Sequence, residues 1–342
     1  MSLRTAVRCH PVRYALGALA LVVAAVFLTP KVSEALSDVH RLRGAAIGWL
    51  VVSFAGELAS LLSFSVVTYV LIQPANRPSF ARILRVDLVT VGVSHAVPAG
   101  SVAGTALGYE LLAEEGVGEV ESGFVKVSQS LLSGMLLQAM LGGFLLLKIL
   151  LYGPSTSNAL LALAGSAIVA LAVVFVWLLD RRPAAIQRIA SAALGWLPRL
   201  QPDRVRRFVG QLHERLAELL AHPGRLAWAA AGSLGNWAFD LVALWAAIRA
   251  FGHSPSVALV GVAFCVAQVA ASLPISPAGL GVVESSLVPL LIGFGATSAV
   301  AVLGVLTWRV FNFWFPLPVG ALAYLLILLD RRQRPSVQPH RA

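Results

Sequence analysis

Apolar positions in this chain gather into long blocks, and polar positions collect between the blocks. A helix needs about 20 apolar residues to cross a hydrocarbon core about 30 Å thick. The pattern predicts crossings over residues 14–28, 46–73, 123–151, 158–179, 226–250 and 298–329. Two further apolar regions, 86–113 and 256–293, are interrupted by HAVPAG (His95–Gly100) and by SLPISPAGLG (Ser272–Gly281). Proline removes an amide donor and glycine loosens a helix, so neither fits an unbroken span. Each region predicts two short half-helices around a break, with a kinked span as the alternative. Broken backbone is tolerated at membrane depth only where protein or a wet cavity satisfies its polar groups.

Composition agrees with the pattern. Of 342 residues 58% are hydrophobic and 12% charged, against roughly 25% charged in a soluble domain. Mean hydropathy is +0.81. The fold class expected is all-α: a polytopic helical membrane protein with about six full crossings, two re-entrant helical hairpins and an inverted repeat. A net charge of +10 would elsewhere suggest nucleic acid. Here the basic residues sit in loops beside apolar blocks, which points to membrane topology and anionic lipid instead. Arg4, Arg8 and Arg13 precede the first apolar run with no small-residue cleavage site close behind it, so that run reads as a retained crossing. Cys9 and Cys265 imply neither a disulfide framework nor a metal site.

Charge orients the crossings. If each broken region enters and leaves by one face, both termini are cytoplasmic, and the basic stretches Arg77–Arg85, Arg181–Arg225 and Arg331–Arg334 all fall inside. Making the first broken region, or both, a full span puts the arginine-rich middle segment outside. The localisation expected is the cell membrane, multi-pass. A shift of 179 positions sets Pro98, Ala99 and Gly100 on Pro277, Ala278 and Gly279, Leu111 and Leu112 on Leu290 and Leu291, Gly116 on Gly295, and Trp49 and Gly56 on Trp228 and Gly235. Each half would hold three crossings, an odd number, so the halves would be inverted and their hairpins would enter from opposite sides. The expected division is a first membrane repeat over 1–152 with its hairpin at 86–113, and a crossing over 153–180. An amphipathic basic segment follows over 181–224, then the rest of the second repeat over 225–330 with its hairpin at 256–293, and a basic tail over 331–342. The middle segment offers apolar faces (Ile186, Ile189, Trp196; Phe208, Leu212, Leu216) and arginines that suit anionic headgroups.

Ionisable groups inside apolar segments are the strongest chemical pointers, because each costs roughly 2.5 to 3.5 kcal/mol at a helix centre. Glu57 and Asp240 lie mid-helix in the two repeat-equivalent crossings, and Asn236 stands at the repeat position of Glu57. Glu284 follows the second break, Arg309 sits in the last long helix, and His95 precedes the first break. Glu284 with Arg309 reads either as a substrate site or as a buried ion pair fixing hairpin to helix. The candidate substrate-binding set is Glu284, Arg309, Pro277, Gly279, Gly281, Pro98, Gly100, Glu57 and Asp240. No catalytic residue, metal or cofactor is expected, since H-E-x-x-H, G-x-S-x-G and phosphate-loop motifs are all absent.

The run LPISPAGLGVVESSLVPLLIGFGA (Leu273–Ala296), followed by TWRVFNFWFPLPVGALAYLL, resembles the signature of the lysylphosphatidylglycerol synthase transmembrane family, and VPAGSVAGTALGYELLAEEGV resembles its first hairpin. The resemblance spans nearly the whole chain and implies a helical bundle with two re-entrant hairpins that moves a lipid headgroup across the bilayer. Pro274, Pro277, Gly279, Gly281, Glu284 and Arg309 are the positions it carries over. The first motif reads GTALGY over Gly104–Tyr109, without the basic residue often found there. The fused synthases carry an aminoacyl-transferase domain, whereas here the sequence runs to Ala342 in a short basic tail, so lipid aminoacylation is not expected. The function expected is a flippase-like transporter of an anionic phospholipid, aminoacyl-phospholipid or polyprenyl-phosphate lipid. The alternatives are an accessory or scaffold subunit of cell-envelope glycolipid assembly, or a membrane enzyme drawing its acid and base from Glu57, Glu284, Asp240 and His95. Expected partners are membrane lipids, with anionic headgroups at the basic segment, no nucleic acid, and a possible second copy of the chain.

Overall fold

The computed structural model describes residues 46–97, 100–153, 213–272 and 277–333, with isolated positions between them. The predicted crossing at 14–28, nearly all of 158–179, most of the amphipathic segment, the end of the tail, and Pro98 and Pro274 lie outside the described residues. All regular structure described is helical. Helix α1 spans Ile47–Leu71, α2 Phe80–Ala96, α3 Gly100–Glu114, α4 Glu119–Tyr152 and α5 Pro223–Arg249. Then come α6 (Val257–Ala271), α7 (Val282–Gly293), α8 (Ser298–Arg309) and α9 (Pro316–Gln333).

Two predicted elements differ in detail. The first broken region begins at Phe80 rather than 86, because Arg77 and Ser79 hold extended backbone and the helix starts immediately after Ser79. The stretch 298–329 is interrupted by a π-helical segment at Val310–Trp314, joined to α9 at Pro316, whose ring cannot donate to the ladder.

Helices α1 and α5 pack antiparallel. Ser53 Oγ donates to the Ala243 carbonyl at 2.8 Å, and Ser60 Oγ to the Asn236 carbonyl at 2.9 Å. A Cβ on Gly56 would stand 3.0 Å from the Phe239 carbonyl oxygen. Small residues let the backbones approach, as in membrane helix pairs. These are the helices that the 179-residue shift equates. The same shift carries Glu119–Tyr152 onto Ser298–Arg331, two stretches of 34 residues. It also equates Gly116 and Gly295, which both hold positive φ (95° and 99°) where the second helix of each broken pair ends.

Contacts sort the helix ends into two groups. At one end Arg225, near the start of α5, donates to the carbonyls of Val70 and Leu71, and Gln73 N donates to Glu121 Oε1 at 2.5 Å. Arg85 of α2 pairs with Asp330 at 2.6 Å, Arg331 pairs with Glu114 at the end of α3, and Arg82 faces Glu115. Both outer ends of the first broken pair therefore lie there. At the other end Ala46 N donates to the Ala250 carbonyl at 2.9 Å, Trp245 Nε1 donates to the Pro255 carbonyl, and Lys148 lies over Phe294. Both outer ends of α6 and α7 lie there. The short 3₁₀ turn at Pro277–Gly279 packs against α2, so the tips of the two broken pairs approach inside the bundle.

One apolar cluster (Phe264, Leu287, Leu291, Trp308) surrounds the second pair, and another (Leu71, Ile83, Leu112, Val125) surrounds the first. The outer faces are apolar too: Ile47 is 74% and Leu150 73% exposed. Among the described residues three helical stretches are long and apolar enough to cross a membrane. Apolar surface of that kind suits lipid, and the chain is a polytopic helical membrane protein.

Candidate functional site

The site is built where the second break meets α8. Gly279 and Gly281 hold φ of 68° and 82°, a region closed to most side chains, and Ala278 between them is held at φ 40°. A Cβ on Gly279 would collide with Ala271 on α6, whereas one on Gly281 meets open space. Gly279 is thus needed for both conformation and close approach, Gly281 for conformation alone. The turn exposes carbonyls that no helix satisfies, and Arg309 takes them: its Nη2 donates to the Ala278 and Gly279 oxygens at 3.4 and 3.3 Å. Its Nε donates to Glu284 Oε1 at 2.7 Å. Glu284 Oε2 accepts the Gly281 amide at 2.6 Å, capping α7. Arg309 is 4% and Glu284 7% exposed. Each desolvated charge is compensated by the other and by backbone polar groups.

From the first pair comes His95, the last polar side chain before its break. Its Nδ1 donates to the Phe313 carbonyl at 3.3 Å, and its ring stacks on Phe313, which also lies under the Arg309 guanidinium. Gly100 opens α3 against the Ser94 carbonyl, where a Cβ would not fit. Pro277, Gly279, Gly281, Glu284 and Arg309 form one cluster; Gly100 belongs to the neighbouring tip.

Asp240 and Glu57 lie one step further in. Asp240 Oδ1 accepts from Trp308 Nε1 at 2.7 Å and from Asn312 Nδ2 at 3.1 Å, and Oδ2 accepts from Gln268 Nε2 at 3.1 Å. Trp308 precedes Arg309 on α8, so one turn carries both the grip on the break and the bond to Asp240. Asn312 stands within the π segment, where the widened turn presents it inward. Glu57 lies beside Asp240 and Asn312, because its neighbour Gly56 packs on the backbone of Phe239 and Ala243 on either side of Asp240. Asn236 is occupied elsewhere, donating to Ser60 Oγ at 2.8 Å.

Sequence reading missed a second buried pair. Lys126 on α4 donates from Nζ to Asp87 Oδ1 on α2 at 2.8 Å, with the side chains 3% and 2% exposed. Gln129 adds a bond to Lys126 and others to the Phe64 carbonyl and Thr68. Lys126 lies across α3 at Gly108, whose missing side chain makes room. The signal was present, a lysine within a predicted crossing and an aspartate within the broken region. Lys126 lies only seven positions after Glu119, where α4 begins, and a lysine near a helix end is ordinarily read as reaching for the headgroups.

Outside the apolar region, Glu218 accepts from Gln73 Nε2 at 2.6 Å and from Arg215 and Arg225. Burial alone pushes its carboxyl up, but the Gln73 hydrogen bond and the two guanidiniums outweigh this and hold it below the usual carboxylate value. A cavity of about 500 Å³ opens beside it, lined by Val120, Glu214, Arg215 and Glu218.

Residues 13–320 match the family model described as the lysylphosphatidylglycerol synthase TM region, and the chain belongs to that family. Comparison with curated protein sequences gives no match. Membership agrees with the resemblance carried by the two broken motifs and makes this a membrane protein related to lipid handling.

Proposed function

We propose, with that family membership as premise, that the chain is a flippase-like transporter of the cell membrane that moves a lipid headgroup between leaflets. Two broken helix pairs act as re-entrant hairpins within an inverted repeat. The observation that carries this reading is the meeting of the two tips at a buried Arg309–Glu284 cluster, from pairs whose outer ends lie at opposite ends of the bundle. Such an arrangement gives each face of the membrane its own gate to one shared site, as alternating access requires. Arg309 is the group for a lipid phosphate, and Glu284 holds it or meets a cationic headgroup. Acyl or prenyl chains would stay against the exposed apolar faces. The cluster is closed in this conformation, so a headgroup reaches Arg309 only after a tip withdraws and exchanges its bonds for those of the phosphate. The chain acts by moving lipid, not by changing it. The end bearing Arg77, Arg82, Arg85, Arg225 and Arg331 is assigned to the cytoplasm by the positive-inside tendency, with both termini there.

Reconstituted vesicles test the proposal. Wild type should move a labelled anionic phospholipid or polyprenyl-phosphate lipid between leaflets faster than protein-free vesicles, with total lipid species unchanged. Gly279→Ala, assayed in protein shown to be folded, should fail, because even a Cβ there meets Ala271 on α6. No acceleration for either lipid class by folded wild type sinks the reading and favours an accessory subunit of glycolipid assembly.

A further inference from the structure

The buried charges of the interior do not balance. Between the two ends of the bundle, the described residues bury four carboxylates, Glu57, Asp87, Asp240 and Glu284, against the two cations Lys126 and Arg309. Asp87 takes Lys126 and Glu284 takes Arg309. Glu57 and Asp240 are left side by side, from α1 and α5, without a cation of their own. Asp240 has both oxygens filled by Trp308, Asn312 and Gln268. Glu57 is 2% exposed, and its Oε2 has no hydrogen-bond partner.

Two carboxylates in one low-dielectric site repel strongly, and a hydrogen bond between them exists only when one carries a proton. We propose that the Glu57–Asp240 pair is a proton-binding site, holding one proton between the two carboxyl groups while the interior is closed. The neighbouring charged and titratable groups are otherwise engaged. Arg309 on α8 is bound to Glu284 of α7 and to the carbonyls of the break; His95 on α2 is bound to the Phe313 carbonyl; Lys126 on α4 is bound to Asp87. From α6 comes the neutral Gln268, and the ionisable groups at the end of α9, Asp330 and Arg331, are paired with Arg85 and Glu114 at the end of the bundle. A metal cation is a poor occupant, since it requires a shell of oxygen ligands, whereas the groups presented to Asp240 are three N–H donors.

The position gives the proton a lever. Asp240 is bonded to Trp308, and the next residue, Arg309, grips the second break. Proton loss leaves two like charges between α1 and α5, which pushes on the turn of α8 that holds the tip. Coupling of the proton to lipid movement rests on the transport reading; the binding site itself does not.

The test uses the full chain in lipid nanodiscs. Infrared difference spectra across a pH titration should show a protonated buried carboxyl in wild type that is lost in Glu57→Gln. Isotope labelling of glutamate and aspartate in wild type assigns the band without any substitution, should Glu57→Gln not fold. In vesicles, an imposed pH gradient should change the rate of lipid movement in wild type and leave Glu57→Gln unaffected. A wild type with no titrating buried carboxyl, a band that survives Glu57→Gln, or one that responds to sodium instead of pH overturns the site. If the band titrates and is lost as expected while no lipid moves, the site stands and the transport reading falls.

Discussion

In the first hairpin the buried ion pair crosses the shaft: Lys126 reaches over α3 at Gly108 to Asp87 on α2, and the outer ends are tied by Arg85–Asp330 and Arg331–Glu114. In the second hairpin the pair closes the tip, where Arg309 binds Glu284 and the carbonyls of Ala278 and Gly279. Lys126 and Arg309 are not repeat equivalents, since the shift sets Lys126 on Val305 and Ser130 on Arg309. Each half thus solved the same problem, fixing broken backbone inside an apolar bundle, with a charge at a different depth. A brace along the shaft keeps two helices together whatever the tip does. A brace at the tip holds the break itself, and on the proposed transport reading it is the one that must open.

The largest effects should come from breaking each pair. Arg309→Met strands Glu284 and two carbonyls, and Lys126→Met strands Asp87. Each should lower stability by about 3–5 kcal/mol, the usual cost of leaving a buried charge alone, read as a fall in thermal unfolding temperature in nanodiscs. The double variants separate the hairpins. Lys126→Met with Asp87→Leu should recover both fold and transport, while Arg309→Met with Glu284→Leu should recover the fold alone. Transport in the second double variant would make both pairs mere braces and erase the distinction.

Smaller effects should come from the glycines. Gly104→Leu drives a side chain into the Thr90 carbonyl and Ser94 on α2, costing about 1–3 kcal/mol by overpacking. Gly281→Ala faces open space and should cost only the left-handed conformation, about 1–2 kcal/mol. Equal losses would show that the shaft of the first hairpin is not packed as tightly as its glycine spacing demands.

The smallest effect lies at the rim by the first hairpin. Glu218 titrates below the ordinary carboxylate value when folded, so its contribution is present at neutral pH and lost as pH falls through the folded value. Glu218→Gln should flatten that acid limb by less than about 1 kcal/mol, as partly exposed pairs do. A larger change would mean the rim carries more of the fold than a partly exposed pair ordinarily does.

The class and the two breaks could be read from the sequence, because hydrocarbon demands long apolar blocks and excludes proline and glycine from unbroken spans. Glu284 and Arg309 were legible for the same reason: a charge in an apolar segment needs a partner, and both follow the second break. Which charges meet was settled only by the packing of the bundle. Lys126 and Asp87 stand 39 positions apart, and Glu57 meets Asp240 only because α1 and α5 run antiparallel in close contact. No periodicity within one helix records that register, since it is set by small residues on two helices that touch only in the folded bundle. The π segment was hidden likewise, because VFNFW reads as continuous apolar helix until packing around Pro316 and Asp240 settles where its turn widens.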